Sequence, residues 1–290
     1  MLAGVFTALL TPFTPDGRVI DEERLRQLAR AQISAGISGL VACGSTAEFA
    51  TLTTQERKRV VEILTDEARG HVPVIAQTGS PSTEVAIELS RHAEEHGAAA
   101  LLLAVPYYGP VDDEDIIKYH RDVADSVGLP LMAYNFPAAS GVSLDVDFLK
   151  RLTAAVPEVK FVKDSSGDRV QLLQLAEGAV PGLQLWGGDE GLFGTALGVG
   201  VRGFILGAGN IAPEALTSAF HAAEERNDQQ LESALESLAP LFTELSNPAY
   251  TAAVKIGVEV LSGPVGPVRR PIKEADADTV ERMKEIVTSL

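Results

Sequence analysis

Short apolar runs recur along the chain at 5–12, 39–43, 73–77, 100–105, 129–135, 160–163, 183–187 and 203–207. They are apolar along their whole length rather than alternating, the pattern of strands buried on both faces. The stretches between them carry helical spacing instead. Leu25, Leu28 and Ala29 continue to Ile33; Val60, Val61 and Leu64 form a second apolar face; Ala86, Ile87, Leu89 and Ala93 form a third. Helix signals fall where this alternation needs them. Asp21 stands as an N-cap, Thr53 with Glu56 makes a capping box, and Ser80 before Pro81 places a proline at the first helical position. Gly70 and Gly97 follow helical stretches and suit left-handed caps.

Eight strand–helix repeats predict an α/β fold, a (β/α)8 TIM barrel. An open doubly wound sheet is the alternative, but it carries a glycine-rich phosphate turn after the first strand. Here that strand runs into Thr11-Pro12-Phe13-Thr14-Pro15. The GxGxxG match at Gly198-Val199-Gly200-Val201-Arg202-Gly203 follows a helix and precedes a strand, so it reads as a helix-to-strand turn. The barrel is expected over 1–226. Three further helices, near 229–245, 248–261 and 275–289, make 227–290 a helical extension of the same domain.

Composition narrows the function classes. The 290 residues are 46% hydrophobic and 22% charged, with a formal net charge of −16. That charge argues against a nucleic-acid backbone or an anionic membrane as partner. Cys43 is the sole cysteine, so no intrachain disulfide can form and a reducing, cytoplasmic location is expected. No apolar run is long enough to span a bilayer, and the first residues pass into a strand without a basic leader.

In such a barrel the reactive groups sit at the C-terminal ends of the strands. Polar residues gather there: Ser45, Thr46 and Glu48 after the second strand, Tyr107 and Tyr108 after the fourth, Tyr134 and Asn135 in the fifth, Lys163 in the sixth, Asp189 and Glu190 after the seventh. Lys163 carries the most information. A lysine amine among apolar walls has its charged form disfavoured, and a neutral amine attacks a ketone to give a Schiff base. Tyr134, on the adjoining strand, is placed to move protons over it. The plainer alternatives are a solvated lysine, a barrel tyrosine with a buried partner, and helix-capping hydroxyls at Ser45 and Thr46.

Four segments, in order, resemble the N-acetylneuraminate lyase and dihydrodipicolinate synthase family of class I pyruvate aldolases. They are Gly44-Ser45-Thr46-Ala47-Glu48, Pro106-Tyr107-Tyr108, Tyr134-Asn135-Phe136-Pro137 and Phe161-Val162-Lys163. The resemblance runs from Gly4 to the Arg270-Pro271 segment. It implies that Lys163 is the Schiff-base lysine and Tyr134 the proton relay. It implies that Ser45 and Thr46 bind the pyruvate carboxylate. Tyr108 would reach into a neighbouring subunit's site of a homotetramer, and the Ile205 carbonyl would line the pocket. No cofactor or metal is implied beyond the covalent imine on Lys163. The partners would be a small 2-oxo acid and an aldehyde.

One departure bears on substrate. The synthase branch places an arginine two residues after the Tyr-Asn-X-Pro proline, and Ala139 stands here. An alanine cannot replace a bidentate guanidinium. The run Tyr134–Gly141 looks more like the branch acting on 2-keto-3-deoxy sugar acids, and Ala47 replaces a common glycine. The expected activity is therefore cleavage or formation of a carbon–carbon bond between pyruvate and an aldehyde, on a 2-keto-3-deoxy sugar acid. The alternatives are condensation with aspartate semialdehyde, dehydration of a keto-deoxy sugar acid, and a non-enzymatic 2-oxo-acid sensor.

Overall fold

The computed structural model describes residues 2–290. The elements run β1 (Gly4–Ala8), α1 (Glu22–Ser34), β2 (Gly39–Ala42), α2 (Thr54–Ala68), β3 (Val74–Gln77), α3 (Thr83–Glu95), β4 (Ala100–Ala104) and α4 (Asp113–Ala124). They continue with β5 (Leu131–Asn135), α5 (Pro137–Ser140), α6 (Val146–Ala155), β6 (Val159–Asp164), α7 (Arg169–Ala176), β7 (Gln184–Gly187), α8 (Phe193–Gly198) and β8 (Gly203–Leu206). The helices α9 (Pro213–Glu225), α10 (Asp228–Leu245), α11 (Tyr250–Ser262) and α12 (Ala277–Ser289) complete the chain. The eight strands close in sequence order into a parallel barrel, as the alternation predicts.

Two sequence expectations need correction at their ends. The first strand stops at Ala8 instead of reaching residue 12, because Leu10 donates its N–H to Asn210 Oδ1 (3.0 Å) rather than to a neighbouring strand. Ser80 is not the cap of α3. Ser82 caps it, accepting from Val85 N–H, while Ser80 Oγ accepts from the Ser82 N–H, so Pro81 lies ahead of the helix. The Asp21 cap and the Thr53–Glu56 capping box stand as expected. Gly70 and Gly97 adopt φ of 78° and 89°, open to glycine without the Cβ penalty.

The chain groups into two compact units. The first holds the residues through Pro73 together with Ile205–Leu290. Its core is built from Phe6, Leu25, Leu40, Ile63, Leu64, Leu216, Leu241, Val254 and Met283, all buried. The second unit, Val74–Phe204, carries β3 to β7 and the start of β8. Leu101, Leu102 and Leu103 are fully buried in succession, which is why β4 reads as a continuous apolar run. Trp186 on β7 is buried too, and its indole occupies the space a Cβ at Gly203 would need, so only glycine lets the two approach. Each such large side chain contributes about 1.5–3 kcal/mol by leaving water.

Candidate active site

The chemistry-bearing residues lie at strand ends in both units. In the second unit, β5 and β6 pair in parallel with Tyr134 opposite Lys163 and Asn135 opposite Asp164. Parallel neighbours at one level point the same way. Lys163 Nζ therefore meets the Tyr134 hydroxyl at 3.2 Å and lies 4.3 Å from that ring's centroid. Lys163 is only 6% exposed, and no acidic residue among the described residues forms an ion pair with it. The amine thus has a hydroxyl and an aromatic face for neighbours.

The next residue along serves a different purpose. Asp164 Oδ1 accepts from the Ser166 N–H (2.8 Å) and from Asn135 Nδ2 (3.4 Å), and its Oδ2 accepts from Gln171 Nε2 (2.8 Å). Asn135 Oδ1 in turn accepts from the Leu144 N–H at 2.9 Å. This buried network fixes the ends of β5 and β6 against α7 without touching the amine. Ser165 donates to the Gly188 carbonyl at 2.7 Å. A Cβ on Gly188 would sit 2.6 Å from Lys163 Cε, so the glycine after β7 is what makes room for the lysine stem. Sequence reasoning did not single out Gly188, Asp164 or Gln171. A glycine directly after a strand was the available signal for the first.

The first unit carries the Ser45 and Thr46 hydroxyls. Thr46 is buried and Ser45 half-buried in the turn after β2. The turn is wound tightly, with Ala47 N–H donating to Gly44 O and Glu48 N–H to Ser45 O. A Cβ at Gly207, just past β8, would lie 3.0 Å from Thr46 Oγ1 and would clash with the Tyr250 hydroxyl, so α11 delivers a phenol beside the Thr46 hydroxyl. Nothing in the helical spacing of the tail marks Tyr250. Ile205 is buried in β8.

Glu48 ends the turn after β2. It adopts φ 64°, ψ 33°, stands directly before a 3-10 turn over Phe49–Thr51, and is 1% exposed. Its carboxylate pairs with Lys255 Nζ at 2.7 Å. Arg269 is a packing residue: its guanidinium lies over the Phe13 ring and pairs with Glu56. Tyr108 stands apart from the rest, 86% exposed in the loop after β4. Asp189 accepts from the Leu192 N–H and caps a short turn after β7.

A parallel eight-stranded barrel with a buried lysine beside a tyrosine hydroxyl defines the class, a TIM barrel. Residues 1–290 match the model of the dihydrodipicolinate synthetase family. A 4-hydroxy-tetrahydrodipicolinate synthase from Methanopyrus kandleri is 35% identical over 289 residues, covering 100% of this chain and 96% of the relative. Among solved structures, Escherichia coli YagE, a dihydrodipicolinic acid synthase family protein in complex with pyruvate, superposes with a TM-score of 0.93 at 28% identity, covering 99% of this chain and 98% of that one. CdNal from Clostridium difficile, in complex with mannosamine, gives 0.92 at 28% identity, with 99% of both chains covered. The chain belongs to the dihydrodipicolinate synthetase family, whose members are pyruvate-dependent lyases and synthases. No helix among the described residues is long and apolar enough to cross a membrane.

Proposed function

We propose that Lys163 attacks C2 of a 2-oxo acid and forms an imine with loss of water. The observation that carries this reading is the buried amine 3.2 Å from the Tyr134 hydroxyl, with no carboxylate paired to it among the described residues. The protonated imine is the electron sink for cleaving the C3–C4 bond. Tyr134 takes the proton of the C4 hydroxyl as the aldehyde leaves, and returns a proton as the enamine becomes the imine of pyruvate. Water then releases pyruvate and restores the amine. Ser45 and Thr46 hold the carboxylate, with the turn's N–H groups contributing positive character that a chain of net charge −16 otherwise lacks. No cofactor takes part beyond this covalent bond.

The substrate reading is a 2-keto-3-deoxy sugar acid. Ala139 supports it, since it sits exposed on α5 where the synthase branch carries a carboxylate-binding arginine. The name of the Methanopyrus kandleri relative supports the second reading, condensation of pyruvate with aspartate semialdehyde. The exposed Tyr107 and Tyr108 support a homotetramer in which Tyr108 enters a neighbouring copy's site. A single buried, free Cys43 supports a reducing cytoplasm.

Borohydride reduction in the presence of pyruvate is the test. A pyruvate-derived mass addition on Lys163 is the expected result, and an intact, unmodified Lys163 at saturating pyruvate overturns the imine. Pyruvate release is then measured from a panel of keto-deoxy sugar acids, beside condensation with aspartate semialdehyde. Turnover of the second alone overturns the sugar-acid reading, and an adduct without any turnover leaves a sensor.

A further inference from the structure

The turn that carries Ser45 and Thr46 ends on a buried carboxylate, which is an odd neighbour for an anion-binding site. Glu48 is two residues from Thr46, sits in the left-handed region, and has a side chain with no exposure. A non-glycine residue in that conformation is strained, and a buried carboxylate is unfavourable unless paired. Both conditions hold only because the surroundings over-determine them. Glu48 Oε1 lies 2.7 Å from Lys255 Nζ, and Oε2 accepts the Arg269 N–H at 2.7 Å. Lys255 is itself buried, donates to the Pro267 carbonyl (2.9 Å) and lies 4.2 Å from the Phe13 ring centroid. From the other side, Thr11 Oγ1 donates to the Ala47 carbonyl at 2.9 Å.

We propose that Lys255, acting through Glu48, is a positioning residue for the 2-oxo-acid carboxylate: the ion pair clamps the Ser45–Thr46 turn to α11 and to the segment 267–269, and cancels a negative charge that would otherwise face the substrate anion. The proposal rests on the reading that Ser45 and Thr46 bind that carboxylate. It gives the C-terminal extension a task in binding, because the clamp's cation lies on α11 and its second donor, the Arg269 backbone N–H, in the segment between α11 and α12. An apolar pair of equal volume would pack the same space, but it could not accept the Arg269 N–H or hold the turn in its left-handed end.

The test uses the full chain and reads the pyruvate concentration that gives half-maximal borohydride trapping, alongside the limiting trapping rate. Lys255→Met leaves the carboxylate without its counter-charge beside the turn, and half-saturation is expected to rise by about tenfold or more while the limiting rate stays within about twofold. In the double variant Glu48→Gln/Lys255→Met the bare charge is gone and the amide oxygen still accepts from Arg269, so most of the loss is recovered. A merely structural pair would raise half-saturation and lower the limiting rate together, without recovery in the double variant, and that outcome overturns the proposal. So does an unchanged half-saturation in folded Lys255→Met. If Lys255→Met does not fold, Glu48→Asp keeps the charge but shortens the reach: a severalfold rise in half-saturation at unchanged limiting rate supports the clamp, and no change overturns it. Absence of any adduct in the unaltered protein removes the imine reading and this one with it. Normal trapping there, with variants that saturate alike, removes this one alone.

Discussion

Lys163 and Lys255 both carry their amines into the interior, at 6% and 3% exposure, and each lies about one ring's reach from an aromatic centroid, 4.3 Å from Tyr134 and 4.2 Å from Phe13. They differ in what completes the shell. Lys255 meets a carboxylate at 2.7 Å and a carbonyl at 2.9 Å. Lys163 meets a phenol at 3.2 Å. Burial pulls the Lys255 amine below the usual lysine range, and the Glu48 charge and hydrogen bond pull it back. A carboxylate partner ties up the ammonium as a structural cation; a hydroxyl partner can hand a proton on and leave a nucleophile. Burial alone does not distinguish the two, and the partner does.

The comparison breaks or holds on one pair of substitutions. Lys163→Met is expected to abolish trapping and to lower turnover by at least about a thousandfold, since the covalent step has no substitute. Its stability to urea should not fall, because a buried amine without a counter-charge gives way to an apolar chain of similar length. Lys255→Met should do the reverse, losing on the order of 3–5 kcal/mol in urea denaturation, because Glu48 is left buried without its cation. Equal stability losses in the two variants would show that the lysines are structurally alike, and the contrast would fail.

Tyr134→Phe sharpens the same contrast from the partner's side. It removes the hydroxyl and keeps the ring over the amine. Turnover of an aldol substrate should drop by about a hundredfold, the usual worth of a positioned proton donor. Trapping of pyruvate at Lys163 should survive, at a reduced rate. A variant that traps and cleaves normally would mean that the 3.2 Å contact is packing.

Much of the Lys163 side of this comparison was legible in the sequence. The run 160–163 marks a strand, the run 129–135 marks its predecessor, and consecutive strands of a barrel are neighbours, so Tyr134 and Lys163 had to stand near one another. The Glu48 side was not. Arg269 and Glu48 are separated by 221 residues, and nothing in local spacing brings a loop glutamate to α11 or to the segment behind it. The left-handed conformation of Glu48 follows from partners that periodicity does not report. Gly188 was hidden for the same reason, since its lack of a side chain matters only once the Lys163 stem lies beside it. Strand ends follow from composition, whereas the groups that hold them in place follow from contacts between distant segments.

His120 on α4 extends the comparison to a buried base with no anion and no proton-bearing partner. Its Nδ1 lies 2.8 Å from the Ile116 carbonyl, which can only accept, so Nδ1 carries the proton and Nε2 is bare. Nε2 has no partner among the described residues. Charging the ring would place a buried N–H where nothing accepts it, and burial pulls its pKa down to about 4, opposed weakly by the Ile116 bond. The sign follows from proton uptake: between the ordinary histidine value near 6.5 and about 4, the unfolded chain takes up a proton that the folded chain refuses, so stability falls as pH drops through that window. The loss should reach on the order of 2 kcal/mol at pH 5. His120→Met removes the titrating group, so its urea stability should vary less between pH 7 and pH 5 than that of the unaltered protein. The same slope in both would place the acid sensitivity in the carboxylates, and would show that a buried base without an anion is tolerated here for reasons other than its neutrality.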